Sequence, residues 1–321
     1  MESNAFMDAE QETTAGGHEM IIDSHCHAGK GDGLTGPWDT DAPLGAYLTR
    51  AARAGIDRTV LFAAFGSDYR SANADVGRIV SADPGRFSGY AMVDAGRDRG
   101  RVRAMVAEAV TGWGACGIKV HRHDARITRE VCEAALSFAL PVLYDVMGET
   151  STIELIAAEY PRVTFIIPHL GSFADDWRAQ RVMIDVLARY PNVYTDTAGV
   201  RRFDLLLEAV QRAGPRKVVF GTDGPWLHPA VELSKVLALR LPAHQQYLVL
   251  AGNWLRLTAA ARARTRSGPR AAGPAPTQVR AAARGQPPVQ LRGRIPASDR
   301  GDPWIADHLP GANHLVAVAP G

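Results

Sequence analysis

A chain of 321 residues, 46% of them hydrophobic, is long enough to bury the core of a barrel-sized α/β domain. Its formal charge of +2 conceals a split: beyond residue 258, nine arginines (Arg262 to Arg300) against three aspartates (Asp299, Asp302, Asp307) carry +6, leaving −4 for the rest. A mildly acidic body with no basic stripe excludes an electrostatic footprint for nucleic acid, and no apolar run approaches the roughly 18 residues that span a bilayer.

In chain order, residues 1–19 hold five acidic residues and no apolar h-region, so they read as a flexible leader and not a secretory signal. Eight short runs rich in Val, Ile, Phe and Tyr then read as buried parallel strands: Met20–Ser24, Arg58–Ala63, Ser88–Val93, Gly117–Val120, Pro141–Asp145, Val163–Ile167, Asn192–Thr195 and Lys217–Gly221. Segments of helical period separate them, such as Leu44, Tyr47, Leu48 and Ala51 closed by Gly55, or Ser151 with Glu154 as a capping box. Strict strand–helix alternation predicts a (β/α)8 TIM barrel over residues 20–257, with an open doubly wound sheet as the alternative. Polar residues follow five different strands and do not gather at one switch point, which favours the barrel. Gly31-Asp32-Gly33-Leu34-Thr35-Gly36 fits a dinucleotide-binding fingerprint. Pro37 and Trp38 interrupt the helix such a loop must open, and the next strand ends without an acid, so a mobile loop over the barrel mouth is expected. From Thr258 to Gly321 an Ala/Arg/Gly/Pro composition replaces the periodicity and reads as a disordered tail. Cys26, Cys116 and Cys132 have neither finger spacing nor an even count, which suits a reducing cytoplasm.

The strongest motif is Asp23-Ser24-His25-Cys26-His27, at the end of the first strand. Residues i and i+2 of a strand share a face, so His25 and His27 can converge on one metal while Cys26 points away. Ile167-Pro168-His169-Leu170-Gly171 closes the sixth strand with a histidine, and Gly221-Thr222-Asp223-Gly224-Pro225 closes the eighth with a carboxylate at a Gly/Pro turn. Each also has a plain structural reading, as a capping histidine or a turn aspartate. In the fourth strand Lys119, His121 and His123 share one parity, and Trp38, Phe65 and Trp226 fall where they can line an apolar pocket.

Together these motifs, at strands one, six and eight, resemble the amidohydrolase-related branch of the amidohydrolase superfamily, and Gly252-Asn253-Trp254-Leu255-Arg256-Leu257 is similar to the segment closing those domains. The resemblance implies His25, His27 and Asp223 as metal ligands, and His169 as a residue contacting metal or substrate. The family pattern puts a ligand histidine at the end of the fifth strand, where this chain has Asp145. Asp145 is therefore expected as a fourth ligand, in a site holding one divalent ion: zinc, with manganese or iron as alternatives. Lys119 falls where binuclear members carry a carboxylated lysine; here Lys119 and His121 are read as contacts to a substrate anion.

The expected activity is hydrolysis of an amide, ester or lactone of a small organic substrate by metal-activated water, with Asp223 and His169 catalytic. Non-oxidative decarboxylation of a small aromatic or carboxylic acid is the first alternative. A non-catalytic barrel with a degraded metal site is the second. The expected partner is a small-molecule substrate, with neither nucleic acid nor membrane, in a protein that can form a homo-oligomer.

Overall fold

Eight of the expected segments form parallel strands in a computed structural model that describes residues 19–36, 38–173 and 176–267. They are β1 (Ile22–Lys30), β2 (Arg58–Ala63), β3 (Phe87–Met92), β4 (Gly117–His121), β5 (Val142–Asp145), β6 (Phe165–Ile167), β7 (Val193–Asp196) and β8 (Val218–Val219), each paired to the next in chain order. Almost every residue in them is buried on both faces, hence the continuous apolar runs in place of an alternating pattern. A two-residue strand, Asp41–Ala42, adds antiparallel to Gly29 and Lys30 and has no signature in the sequence.

The sheet closes on itself. Ser24 N and Oγ both donate to Phe220 O (3.0 and 2.7 Å), His27 N donates to Gly224 O (2.6 Å), and Cys26 bridges Gly224. Buried Asp23 reinforces the seam by accepting from Thr222 N (2.8 Å), Thr222 Oγ1 (2.7 Å) and the Tyr47 hydroxyl. This closure rules out the open doubly wound sheet.

One helix follows each strand: α1 (Leu44–Arg53), α2 (Tyr69–Ala82), α3 (Val102–Trp113), α4 (Arg129–Phe138), α5 (Ser151–Glu159), α6 (Trp177–Arg189), α7 (Phe203–Ala213) and α8 (Pro229–Ala238). In α6 the buried set Met183, Ile184, Val186 and Leu187 faces the barrel, the period expected of a shell helix. Asp68 caps α2 through Arg70 N and Ser71 N, and Asp176 caps α6 through Ala179 N. The capping box expected at Ser151 and Glu154 does not form, because Ser151 already lies inside α5 and Glu154 pairs with Arg189 (2.7 Å). No helix among the described residues is long and apolar enough to cross a membrane.

The helical order runs past Leu257. Ala259–Ser267 forms another helix, with Thr258 and Ala261 buried and Arg262 lying 5.7 Å over the Trp254 ring. The sequence reading started its tail at Thr258 because periodicity stops there, but alanine and arginine are strong helix formers and need no wide apolar stripe to continue a docked helix. The expected leader, apart from Glu19, and the tail from residue 268 onward lie outside the described residues.

Candidate metal centre

The C-terminal ends of the strands converge on one cavity of about 360 Å³. Along β1 the register against β2 shifts between Asp23 and Cys26, a bulge that helps to aim the end of the strand. His25 and His27 both reach the cavity, and Cys26 is directed into the seam, as the strand parity predicts. The chain just after β8 passes close to β1: a Cβ at Gly221 would stand 2.9 Å from the His25 Cβ, so a larger residue there would push β1 away.

The hydrogen bonds fix the histidine tautomers. His25 Nδ1 lies 2.7 Å from Asp196 Oδ2, and His27 Nδ1 lies 3.0 Å from the Ala63 carbonyl. Each partner only accepts, so the proton sits on Nδ1 and the Nε2 lone pair is left for a metal. His25 Nε2 and His27 Nε2 lie 3.2 and 3.7 Å from Asp223 Oδ1, and the ligand atoms of the three residues all fall within 4.8 Å of one another. Among the described residues His25 Nε2 is buried with no hydrogen-bond partner, a metal-donor atom that a cation would satisfy. The donor set of two imidazoles and a carboxylate fits a divalent metal.

Asp145 stands outside this trio. Its Oδ1 accepts from Met147 N (2.8 Å), and its Oδ2 lies 3.1 Å from His121 Nε2 and 3.4 Å from His169 Nε2. The turn after β5 thus claims one oxygen, and two imidazoles lie against the other, the one that would turn to a metal if Asp145 served as a fourth ligand. His121 has the opposite tautomer to the β1 pair: His123 N donates to its Nδ1 (3.0 Å), so its proton is on Nε2, facing Asp145. His169 Nδ1 donates to Ala198 O (2.7 Å). Burial pulls the His169 imidazole down, yet Asp145, reinforced by Asp223 and Asp196, lifts it to about 9. The same histidines overcome the burial of Asp145 and hold its carboxyl well below the usual range. Burial also drives His27 well below the ordinary imidazole value.

Lys119 lines the cavity, fully buried, with Nζ 4.9 Å from the Phe62 ring centroid and no hydrogen-bond partner among the described residues. Burial lowers its pKa against the opposing charge of Asp145 and Asp223. His121 and His123 line the same cavity, as their shared parity predicts, and so do Trp38, Phe65 and Trp226. Arg122, on the other parity, is turned away and pairs with Glu149 (2.8 Å).

The Gly31–Gly36 segment is a tethered loop. A Cβ at Gly31 would lie 1.7 Å from Phe65 O, so only glycine allows the loop to pass this close to the β2 end. Asp32 accepts from Ser67 N (3.1 Å), Thr35 O lies 2.7 Å from His123 Nε2, and Gly31 N donates to Thr40 O (2.6 Å). These contacts tie the loop to the ends of β2 and β4 beside the cavity.

Sequence reasoning missed Asp196 and Asp39. Asp196 ends β7 one residue beyond the expected strand and organises the site: besides His25 Nδ1, it accepts from His169 N (3.0 Å) and Ala198 N (3.1 Å). Asp196→Asn should keep the fold but lower metal affinity by about 10- to 100-fold, the usual cost of losing an outer-shell partner. Competition against a chromogenic chelator measures this, and unchanged affinity would deny Asp196 that role. Backbone strain also marks the site, since His169 (φ 58°), Asp223 (φ 57°) and Asp39 (φ 58°) all adopt the left-handed conformation that non-glycine residues avoid.

A closed parallel barrel with imidazoles and carboxylates converging at its C-terminal end defines the class: a TIM-barrel protein with a His25, His27 and Asp223 cluster that could hold a metal ion. The comparisons agree with the amidohydrolase-superfamily resemblance read from the sequence. Residues 150–285 match the amidohydrolase family model. No curated protein matches the sequence. Among solved structures, 5-carboxyvanillate decarboxylase from Sphingomonas paucimobilis aligns over 75% of this chain and 99% of its own, at 16% identity and a TM-score of 0.62. A putative 2-pyrone-4,6-dicarboxylic acid hydrolase from Pseudomonas putida aligns over 76% and 98%, at 18% identity and a TM-score of 0.58. An amidohydrolase from Burkholderia multivorans aligns over 75% and 99%, at 19% identity and a TM-score of 0.62. At these identities the likeness is one of fold.

Proposed function

We propose that this chain is a metal-dependent hydrolase that cleaves an amide, ester or lactone bond of a small organic substrate. The observation that carries the reading is the pair of β1 imidazoles, each locked through Nδ1 with Nε2 directed at Asp223. His25, His27 and Asp223 would hold one divalent ion, for which zinc suits the nitrogen-rich donor set, with manganese or iron as alternatives. Such an ion supplies Lewis acidity, polarising a substrate oxygen and acidifying water.

The remaining work falls to the chain's own residues. Asp223 takes the proton from the attacking water and returns it to the leaving group. His169, held near 9 and backed by Asp145, carries a proton at neutral pH and donates it as a hydrogen bond to the developing oxyanion. Lys119 and His121 face the cavity and meet an anionic group of the substrate. The aromatic side chains of Trp38, Phe65, Phe173 and Trp226 shield this chemistry from water. The free thiols of Cys26, Cys116 and Cys132 support a cytoplasmic location.

Decarboxylation is the second reading, favoured by Lys119, a buried amine without a hydrogen-bond partner among the described residues that suits a substrate carboxylate. Chelator-treated protein should lose hydrolysis of a lactone, ester and amide panel and regain it with one equivalent of zinc, manganese or iron. CO2 release from aromatic acids without hydrolysis would establish the decarboxylase instead. Neither activity in the metal-loaded protein would overturn the hydrolase.

A further inference from the structure

We propose that Asp39 is the specificity-determining residue of this site and that it receives a hydroxyl group carried by the substrate away from the bond that is cleaved. The inference deepens the hydrolase reading and rests on it for the position of the reacting group.

Asp39 lines the cavity and is half-buried, yet among the described residues its carboxylate makes no hydrogen bond or ion pair. Its backbone leaves little freedom to turn away. Phe65 N donates to Asp39 O (3.0 Å), Gly31 N donates to the neighbouring Thr40 O (2.6 Å), and Trp226 Nε1 donates to Asp41 O (3.0 Å). With φ at 58°, the residue holds the left-handed conformation that most side chains avoid. Burial, with the charge of Asp223 adding to it, raises the carboxyl to about 6. A costly, rigidly placed and unpartnered acceptor facing a cavity is the arrangement expected of a group whose partner arrives with the ligand.

The surroundings select the donor. The cavity also holds Lys119 and the cation site of His25, His27 and Asp223, so an ammonium group would meet two positive centres. A hydroxyl avoids that repulsion. Trp38 adjoins Asp39 in sequence, and Trp226 and Phe65 line the same cavity, giving apolar faces for the carbon skeleton that bears the hydroxyl. The substrate class is therefore a hydroxylated small ester, lactone or amide.

The test uses the full-length, zinc-loaded protein and two kinds of probe. Turnover is compared for gluconolactone, δ-valerolactone and an amino-substituted δ-lactone; binding of the corresponding hydroxylated and unsubstituted lactams, which resist hydrolysis, is followed by tryptophan fluorescence. The wild type should favour the hydroxylated member of each pair by about tenfold or more, the size of one hydrogen bond to a charged acceptor. Asp39→Ala should bring both ratios to about one, acting on KM more than on kcat, with metal content and melting temperature unchanged. Asp39→Asn, which keeps an accepting oxygen, should retain part of the preference. Equal affinity of the wild type for both lactams, binding of neither, preference for the amino-lactone, or a preference that survives in Asp39→Ala would each overturn the proposal. Selective lactam binding by a protein that hydrolyses none of the lactones would leave Asp39 in this role and remove the hydrolase reading instead.

Discussion

His25→Ala and His27→Ala are expected to empty the cation site and abolish activity. Each removes one of three clustered candidate ligands together with the hydrogen bond that orients it, to Asp196 Oδ2 for His25 and to the Ala63 carbonyl for His27. The loss should far exceed the roughly 10- to 100-fold that an outer-shell change costs, because a ligand and its pre-orientation disappear together. Elemental analysis of purified variants alongside turnover decides the matter. Full metal content with full activity in either variant would remove the metal reading.

Asp145 should give the second large effect, of a different kind. Asp145→Asn is expected to retain metal at the stoichiometry of the unaltered protein while kcat falls by about 10²- to 10⁴-fold, the range typical for a group that supports proton transfer. The reason is geometric: Asp145 Oδ2 serves His121 and His169, and the amide would lack the charge that keeps His169 protonated. Asp145→His separates the alternatives further, since an imidazole there could join the ligand set and shift preference toward zinc. Loss of metal in both the Asn and Ala variants would make Asp145 a ligand after all. Unchanged turnover in Asp145→Asn would reduce it to a turn residue bonded to Met147 N.

Where the chemistry sits was legible because strand parity is a strict constraint. Two histidines two residues apart in β1, and Lys119 with His121 in β4, had to share a face, and all four line the cavity. The strands were legible because burial on both faces leaves unbroken apolar runs. Three things were not. Asp196 is a lone aspartate after Thr195, and nothing local distinguishes an acid that orients His25 from one that merely ends a strand. Asp39 belongs to a loop held by contacts from the ends of other strands, and these arise only once the barrel exists. The pairing of Asp145 with two histidines likewise depends on β4 and β6 lying on either side of β5, a matter of topology that residue type at one position does not carry.

The seam between β1 and β8 also has a bearing on how this protein reaches its native state. Asp23 meets Thr222 and Ser24 meets Phe220 across sequence separations of 199 and 196 residues, so closing this seam carries a large loop entropy. The candidate ligand trio straddles that join, with His25 and His27 on one side and Asp223 on the other. An ion that binds all three would act as a clasp on that seam: its affinity would contain the free energy of ring closure, and whatever loosens the first strand from the last would also loosen its hold on the metal.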